Sequence, residues 1–382
     1  MTEVAGRPTI PAARFADRVT RATRATTERG FDALLVGVGP DLRYLTGYEA
    51  LPLERLTMLV IPAGEEPRLV APRLELAAAR AGVRPDIAIE TWEETENPHA
   101  LVASLIRKAA RRVGVSDRLW ASHLLRLQAA LPGVTFESAT AALRDLRMVK
   151  DPDEIELLRR ASHAADRVIA QIAAGPLVGR TEADVAREVR ERLLAEGHEL
   201  AEFSIVASGP NSASPHHEAS ERVIRAGEPI VLDIGGTLGG YGSDITRMVW
   251  VTGGDPAQGP DPEYLRLYGV LQNAQDEATG SARPGVACER IDAVARGIIE
   301  TAGYGPNFIH RTGHGIGLEG HEDPYLVAGN SEPLREGAAF SIEPGIYLEG
   351  RYGARIEDIV VSGRDGPIVL NEAPRHLLVV SG

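Results

Sequence analysis

The chain has a single cysteine, Cys288, so no disulfide can form within it. That usage points to a reducing, cytoplasmic setting. No stretch approaches the roughly 18 apolar residues of a membrane span. The start, Met-Thr-Glu-Val-Ala-Gly-Arg-Pro, has no apolar run of signal length. A basic excess is missing too: the formal net charge is -13, with acids spread along the chain. This disfavours a nucleic-acid or anionic-membrane partner. Lysine is confined to Lys108 and Lys150, while arginine and alanine are abundant, a bias of genome composition rather than a functional signal. What is present is the apolar and charged content of a soluble globular protein, 382 residues long. That length suits about two or three domains with sizeable cores.

In the first part, residues 11–29 have amphipathic helical spacing closed by Gly30. Apolar runs at 33–37, 57–61 and 69–70 read as strands, alternating with helices near 73–81, 99–113 and 122–131. Such alternation implies a sheet covered by helices. His99 and His123 stand alone there and are read as solvated or core histidines. A boundary falls near Leu146–Lys150. Asp151-Pro152-Asp-Glu154 then gives an N-cap, a proline at the first helical position and a reciprocal capping glutamate. Thr181 caps a second helix, and extended segments follow at 202–208 and 228–250. The order recurs: Asp261-Pro262 and Pro284-Gly285 open two more helices, then strands run to the end. The region after 148 therefore reads as α+β with two pseudo-equivalent halves.

The densest chemistry lies in His310-Arg-Thr-Gly-His314-Gly-Ile-Gly-Leu-Glu-Gly-His321-Glu322, with three histidines, two acids and four glycines. The glycines exclude a helix, so this is not a helical His-Glu-x-x-His zinc motif. An extended glycine-rich segment instead lets backbone approach a ligand closely. Acids also interrupt apolar strand-like runs at Asp233, Asp244, Glu343 and Glu357. The glycines between Asp233 and Asp244 favour a hairpin that brings these two together. An aspartate in an apolar strand needs a partner or a metal. Pairing with Arg247 and Arg355 supplies two cations for four acids, and convergence of all four demands divalent ions. His314 is the natural fifth donor.

In order and local context, Asp233, Asp244, His314, Glu343 and Glu357 resemble the five metal ligands of the pita-bread metallopeptidases. The branch most similar is that of Xaa-Pro dipeptidases (prolidases) and Xaa-Pro aminopeptidases. The segments Ala207–His216 and Ser341–Tyr347 support the resemblance. It implies a pita-bread catalytic domain over 149–382, creatinase/aminopeptidase-like, preceded by a smaller creatinase-type α/β domain over 1–148. It implies two divalent ions per chain: Asp233 on one, His314 and Glu343 on the other, Asp244 and Glu357 bridging. Such an oxygen-rich set suits manganese first, with cobalt, iron or zinc as alternatives. The implied catalytic groups are Glu343, shuttling the water proton, and His216, donating to the oxyanion. His310, His321 and Arg355 would contact substrate, with Arg355 orienting Glu357 or holding a substrate carboxylate. His217 is read as a surface residue, and Glu319 and Glu322 as solvent-facing or outside the ligand shell. The implied substrates are small peptides with proline second, and the implied assembly is a homodimer. The alternatives are an aminopeptidase acting on longer peptides, a non-peptidase hydrolase or lyase of the same fold, and a non-catalytic binding module.

Overall fold

The computed structural model describes residues 9–382, apart from the side chain of Ala141. The first eight residues, where the signal-length run is missing, lie outside that range. Residues 10–147 form one compact unit and residues 148–382 another.

In the first unit, α1 (Ala12–Glu28) ends where Gly30 takes φ 71°, and β1 (Ala33–Gly37) follows. Then come α2 (Pro40–Thr46), β2 (Met58–Pro62), β3 (Arg68–Pro72), α3 (Leu76–Gly82), β4 (Ala88–Trp92), α4 (Pro98–Ser104), β5 (Arg112–Val115), α5 (Ala121–Ala130), β6 (Thr135–Ser138) and α6 (Thr140–Met148). The strands make one mixed six-stranded sheet, β4-β3-β2-β1-β5-β6. The α/β reading holds, but the helix expected over 99–113 stops at Ser104. The last part of that stretch is pulled into the sheet instead. Asp32 Oδ2 accepts from the backbone N–H of Arg111 and Arg112 at 2.7 and 3.0 Å, and Val113 pairs beside Ala33. Residues 105–110 form turns between α4 and β5, and sheet pairing begins at Arg112.

His99 and His123 are core residues, as expected, but not alone. Both are buried, with His99 Nε2 3.1 Å from His123 Nδ1 and Trp120 stacked on His123. Burial first, then the neighbouring His123, holds His99 down at about 4, and burial also lowers His123. Unfolded histidine titrates near 6.5, so the unfolded chain binds the extra protons. Stability from this pair is therefore present above about pH 6.5 and is lost as pH falls toward 4. Melting temperature followed over that range should fall more steeply in the native chain than in His99→Leu; equal slopes would contradict the account.

The second unit repeats an order of two helices followed by strands. Its first half holds α7 (Pro152–Ala173), α8 (Glu182–Ala195), β7 (Leu200–Ser208), β8 (Glu228–Leu238) and β9 (Tyr241–Val251). Asp151 and Glu154 form the anticipated capping box of α7, and Thr181 caps α8. The second half holds α9 (Pro262–Ser281), α10 (Cys288–Thr301), β10 (Gly313–Gly315), β11 (Glu322–Leu326), β12 (Ala339–Ile342), β13 (Gly345–Leu348), β14 (Tyr352–Arg355), β15 (Asp358–Gly363), β16 (Gly366–Val369) and β17 (Leu378–Val380). One sheet runs β17-β9-β8-β7, another β11-β10-β12-β15-β16, and β13 pairs with β14. Helices α7 and α8 bury Val168, Ile169, Val185, Val189 and Leu193 against Ile230, Leu232 and Val249 of the first sheet. Helices α9 and α10 bury Leu267, Leu271, Ile291 and Ile299 with Phe340 and Val360 of the second. An antiparallel bridge from Thr246 to Glu357 joins β9 to the turn between β14 and β15. Among the described residues no helix is long and apolar enough to cross a membrane.

Candidate metal centre

The β8–β9 hairpin sets Asp233 opposite Thr246 and Gly235 opposite Asp244. Asp233, Asp244 and Thr246 therefore share one face, as diagonal and direct neighbours. Glu343 and Glu357 are not inside strands, as the sequence suggested, but at strand ends. Glu343 follows β12, where Pro344 interrupts pairing, and Glu357 sits between β14 and β15. These junctions free both side chains from the ladder while the Thr246 bridge fixes Glu357.

His314 lies on β10, between two glycines that no other residue could replace without displacement. A Cβ at Gly313 would overlap the Ser341 carbonyl oxygen, and one at Gly315 the Asp323 carbonyl. The close approach made by these glycines is to the protein's own backbone, which packs β10 against its neighbours. The His314 Nδ1–H donates to Gly315 O at 3.1 Å, so Nε2 is the free donor atom. That nitrogen is 3.2 Å from Glu343 Oε1 and 3.7 Å from Asp244 Oδ2. One oxygen each of Asp244 and Glu357 and a ring nitrogen of His314 lie within 4.8 Å of one another.

All five residues line one pocket of about 610 Å³, together with His216, His310, His321 and Arg355. Burial, then the mutual repulsion of the carboxylates, pushes Asp244 and Glu357 well above the usual carboxylate range. Burial would depress His314, but Glu343 and Asp244 hold its pKa above the ordinary value. Arg355 pairs with Asp233, while the other Asp233 oxygen, Oδ1, is buried without a hydrogen-bond partner. Four carboxylates thus face one guanidinium and one imidazole, with an orphaned oxygen among them. The donor set fits hard divalent cations.

The sequence reading left two placements open for Arg355 and two for Glu322, while His217 is placed differently from it. Arg355 is committed: Nε donates to Thr246 Oγ1 at 3.1 Å, one terminal nitrogen to Tyr347 Oη at 2.8 Å, and another to Asp233. It reaches Glu357 only through Thr246, whose hydroxyl donates to Glu357 Oε2 at 2.7 Å. His217 is not a surface residue but is half-buried, with Nε2 2.8 Å from Glu182 Oε2. Glu322 is buried and paired with Lys150. His310 donates from Nδ1 to Arg311 O at 2.7 Å and accepts at Nε2 from Tyr347 Oη at 2.9 Å. Tyr347 was missed by sequence reasoning. Its proximity to Glu343 in the apolar Ser341–Tyr347 run was the available signal. His321 stacks near His314, with ring centroids 3.8 Å apart, and contacts Arg311, a further pocket residue.

Residues 156–363 match metallopeptidase family M24, and residues 18–149 match the Creatinase/Prolidase N-terminal domain. The crystal structure of dipeptidase PepE from Mycobacterium ulcerans is similar, with a TM-score of 0.90 and 45% identity, covering 97% of this chain and 99% of that one. The prolidase from Thermococcus sibiricus gives a TM-score of 0.88 and 34% identity, covering 97% and 100%. An Xaa-Pro dipeptidase from Pyrococcus horikoshii is 31% identical over 95% of this chain and 99% of its own. The fold is a creatinase-type N-terminal domain followed by a pita-bread domain, and the protein is a metal-dependent hydrolase. The chain belongs to metallopeptidase family M24, and that membership implies divalent metal ions.

Proposed function

We propose that this protein is an Xaa-Pro dipeptidase, a prolidase, hydrolysing the bond between an N-terminal residue and proline. The observation that carries the reading is the convergence of Asp233, Asp244, His314, Glu343 and Glu357 on one pocket. In this reading residues 149–382 are catalytic and residues 1–148 accessory. The five side chains would hold two divalent ions, manganese first. When bound, such ions polarise the scissile carbonyl and acidify a water molecule.

The chain's own residues do the rest. Glu343, which accepts from Ser341 Oγ at 3.1 Å, takes a proton from water and returns it to the leaving nitrogen. His216, exposed at the pocket, donates to the carbonyl oxygen as charge develops there. His310 and His321 border the proline side. Because the Arg355 donors are spent on Asp233, Thr246 and Tyr347, this arginine fixes the ligand shell from behind. Arg311, lining the same pocket, is then the guanidinium for the free carboxylate of a dipeptide. The resemblance supports a homodimer, and the lone buried Cys288 supports a cytoplasmic setting.

The test is turnover of Ala-Pro, Ala-Ala and Ala-Pro-Ala by manganese-loaded enzyme. Ala-Pro is expected to be fastest, and Arg311→Ala should slow Ala-Pro more than Ala-Pro-Ala. Faster cleavage of Ala-Ala would refute proline selectivity. Faster cleavage of Ala-Pro-Ala would move the assignment to an aminopeptidase.

A further inference from the structure

Glu182, the first residue of α8, is fully buried and does not line the pocket. Its two oxygens gather a single loop. Oε1 accepts from the Ser208 backbone N–H at 2.7 Å, Ser208 Oγ at 2.8 Å and Asn211 Nδ2 at 3.0 Å. Oε2 accepts from His217 Nε2 at 2.8 Å, the Ser220 backbone N–H at 3.1 Å and Ser220 Oγ at 2.7 Å. Burying a carboxylate costs several kcal/mol unless its lone pairs are satisfied. Here they are: burial pushes Glu182 upward, but the bonds from Ser220, Ser208 and His217 outweigh it and hold the group at about 2. Glu182 is thus an anion at neutral pH.

Every one of these donors lies between residues 208 and 220. The centre of that segment is a turn in which the His217 N–H meets Ser214 O at 3.2 Å. Pro215 and His216 occupy the middle of the turn and line the pocket. On the far side, Pro215 O accepts from both terminal nitrogens of Arg355 at 3.3 Å. The turn is held between a buried anion on one flank and the arginine of the metal centre on the other. The two adjacent rings part accordingly, His217 toward Glu182 and His216 into the pocket.

We infer that Glu182, acting through His217 and the two serines, is a positioning residue that fixes His216 against the substrate carbonyl. This rests on the reading of His216 as the oxyanion donor. Glu182 touches neither substrate nor ligand shell. Its loss should lower kcat without changing metal content or KM, because an error of about 1 Å in such a group can cost about 10²-fold.

The experiment is a double-mutant comparison on the full, metal-loaded chain with Ala-Pro as substrate. Glu182→Gln keeps the shape but replaces one accepting oxygen by a donor, and should lower kcat by about 10- to 100-fold. In a His216→Ala background the same change should cost nothing further, because the group it positions is gone. A merely structural role predicts the opposite, an equal loss in both backgrounds, and that result would overturn the inference. If Glu182→Gln does not fold, His217→Ala removes one donor from the loop side and gives the same comparison. If His216→Ala alone retains native turnover, the oxyanion reading falls and this inference with it. Additive losses beside a damaging His216→Ala reject the inference alone.

Discussion

Alanine at Glu357 is expected to lower kcat/KM by at least about 10³-fold and to reduce bound metal. A metal ion at a polarised carbonyl supplies several kcal/mol, and about 4 kcal/mol corresponds to about 10³ in rate. The argument has a second arm that reads folding rather than turnover. In the metal-free protein Glu357 is crowded by Asp244, and burial has already driven its carboxyl upward. Removing it relieves that repulsion, so the metal-free variant should melt no lower than the metal-free native protein. Added manganese should raise the native melting temperature more than that of the variant, since only a bound ligand stabilises by mass action. Chelation of the native enzyme should reproduce the activity loss, and manganese or cobalt should restore it. Full turnover after exhaustive demetallation would sink the mechanism. Glu322→Ala makes an instructive contrast: it strips the carboxylate from buried Lys150 and should cost stability while leaving bound metal unchanged.

The second large effect is expected at His216. If its imidazole donates to the developing oxyanion, His216→Ala should lower kcat by roughly 10²–10³, the usual loss for one such donor. Metal content should not change, because His216 is not among the five converging donors. The loss should fall on kcat rather than KM, since the bond strengthens only as charge develops. A variant that loses metal, or one that raises KM alone, would show that His216 serves another purpose.

Local rules made much of this molecule readable. Asp151, Pro152 and Glu154 announce α7 because a capping box is written within four consecutive residues. Asp233 and Asp244 could be brought together because the glycines between them favour a hairpin, although the register that makes them diagonal neighbours was not legible. What could not be read depends on distant partners. His217 looked like a surface residue because Glu182, its partner, is 35 positions away. Glu322 could be read as solvent-facing or as buried outside the ligand shell, and only Lys150, 172 positions away, separates the two. Arg355 lines the pocket, but its bond to Asp233 spans 122 positions, and that bond bears on whether the guanidinium is free for substrate. The helix beyond Ser104 failed for a similar reason: Asp32, far upstream, claims the backbone of Arg111 and Arg112.

The tight setting of β10 has a bearing on how mutational scans of this protein should be interpreted. Gly313 and Gly315 carry no functional group, yet an alanine at either would strike a neighbouring carbonyl and shift the strand that presents His314. A screen scored on activity alone would rank these two positions beside the five proposed metal ligands. Tolerance maps of this segment therefore register shape as strongly as reactivity. Only a parallel measurement of bound metal and folded fraction would tell a lost donor atom from a displaced one.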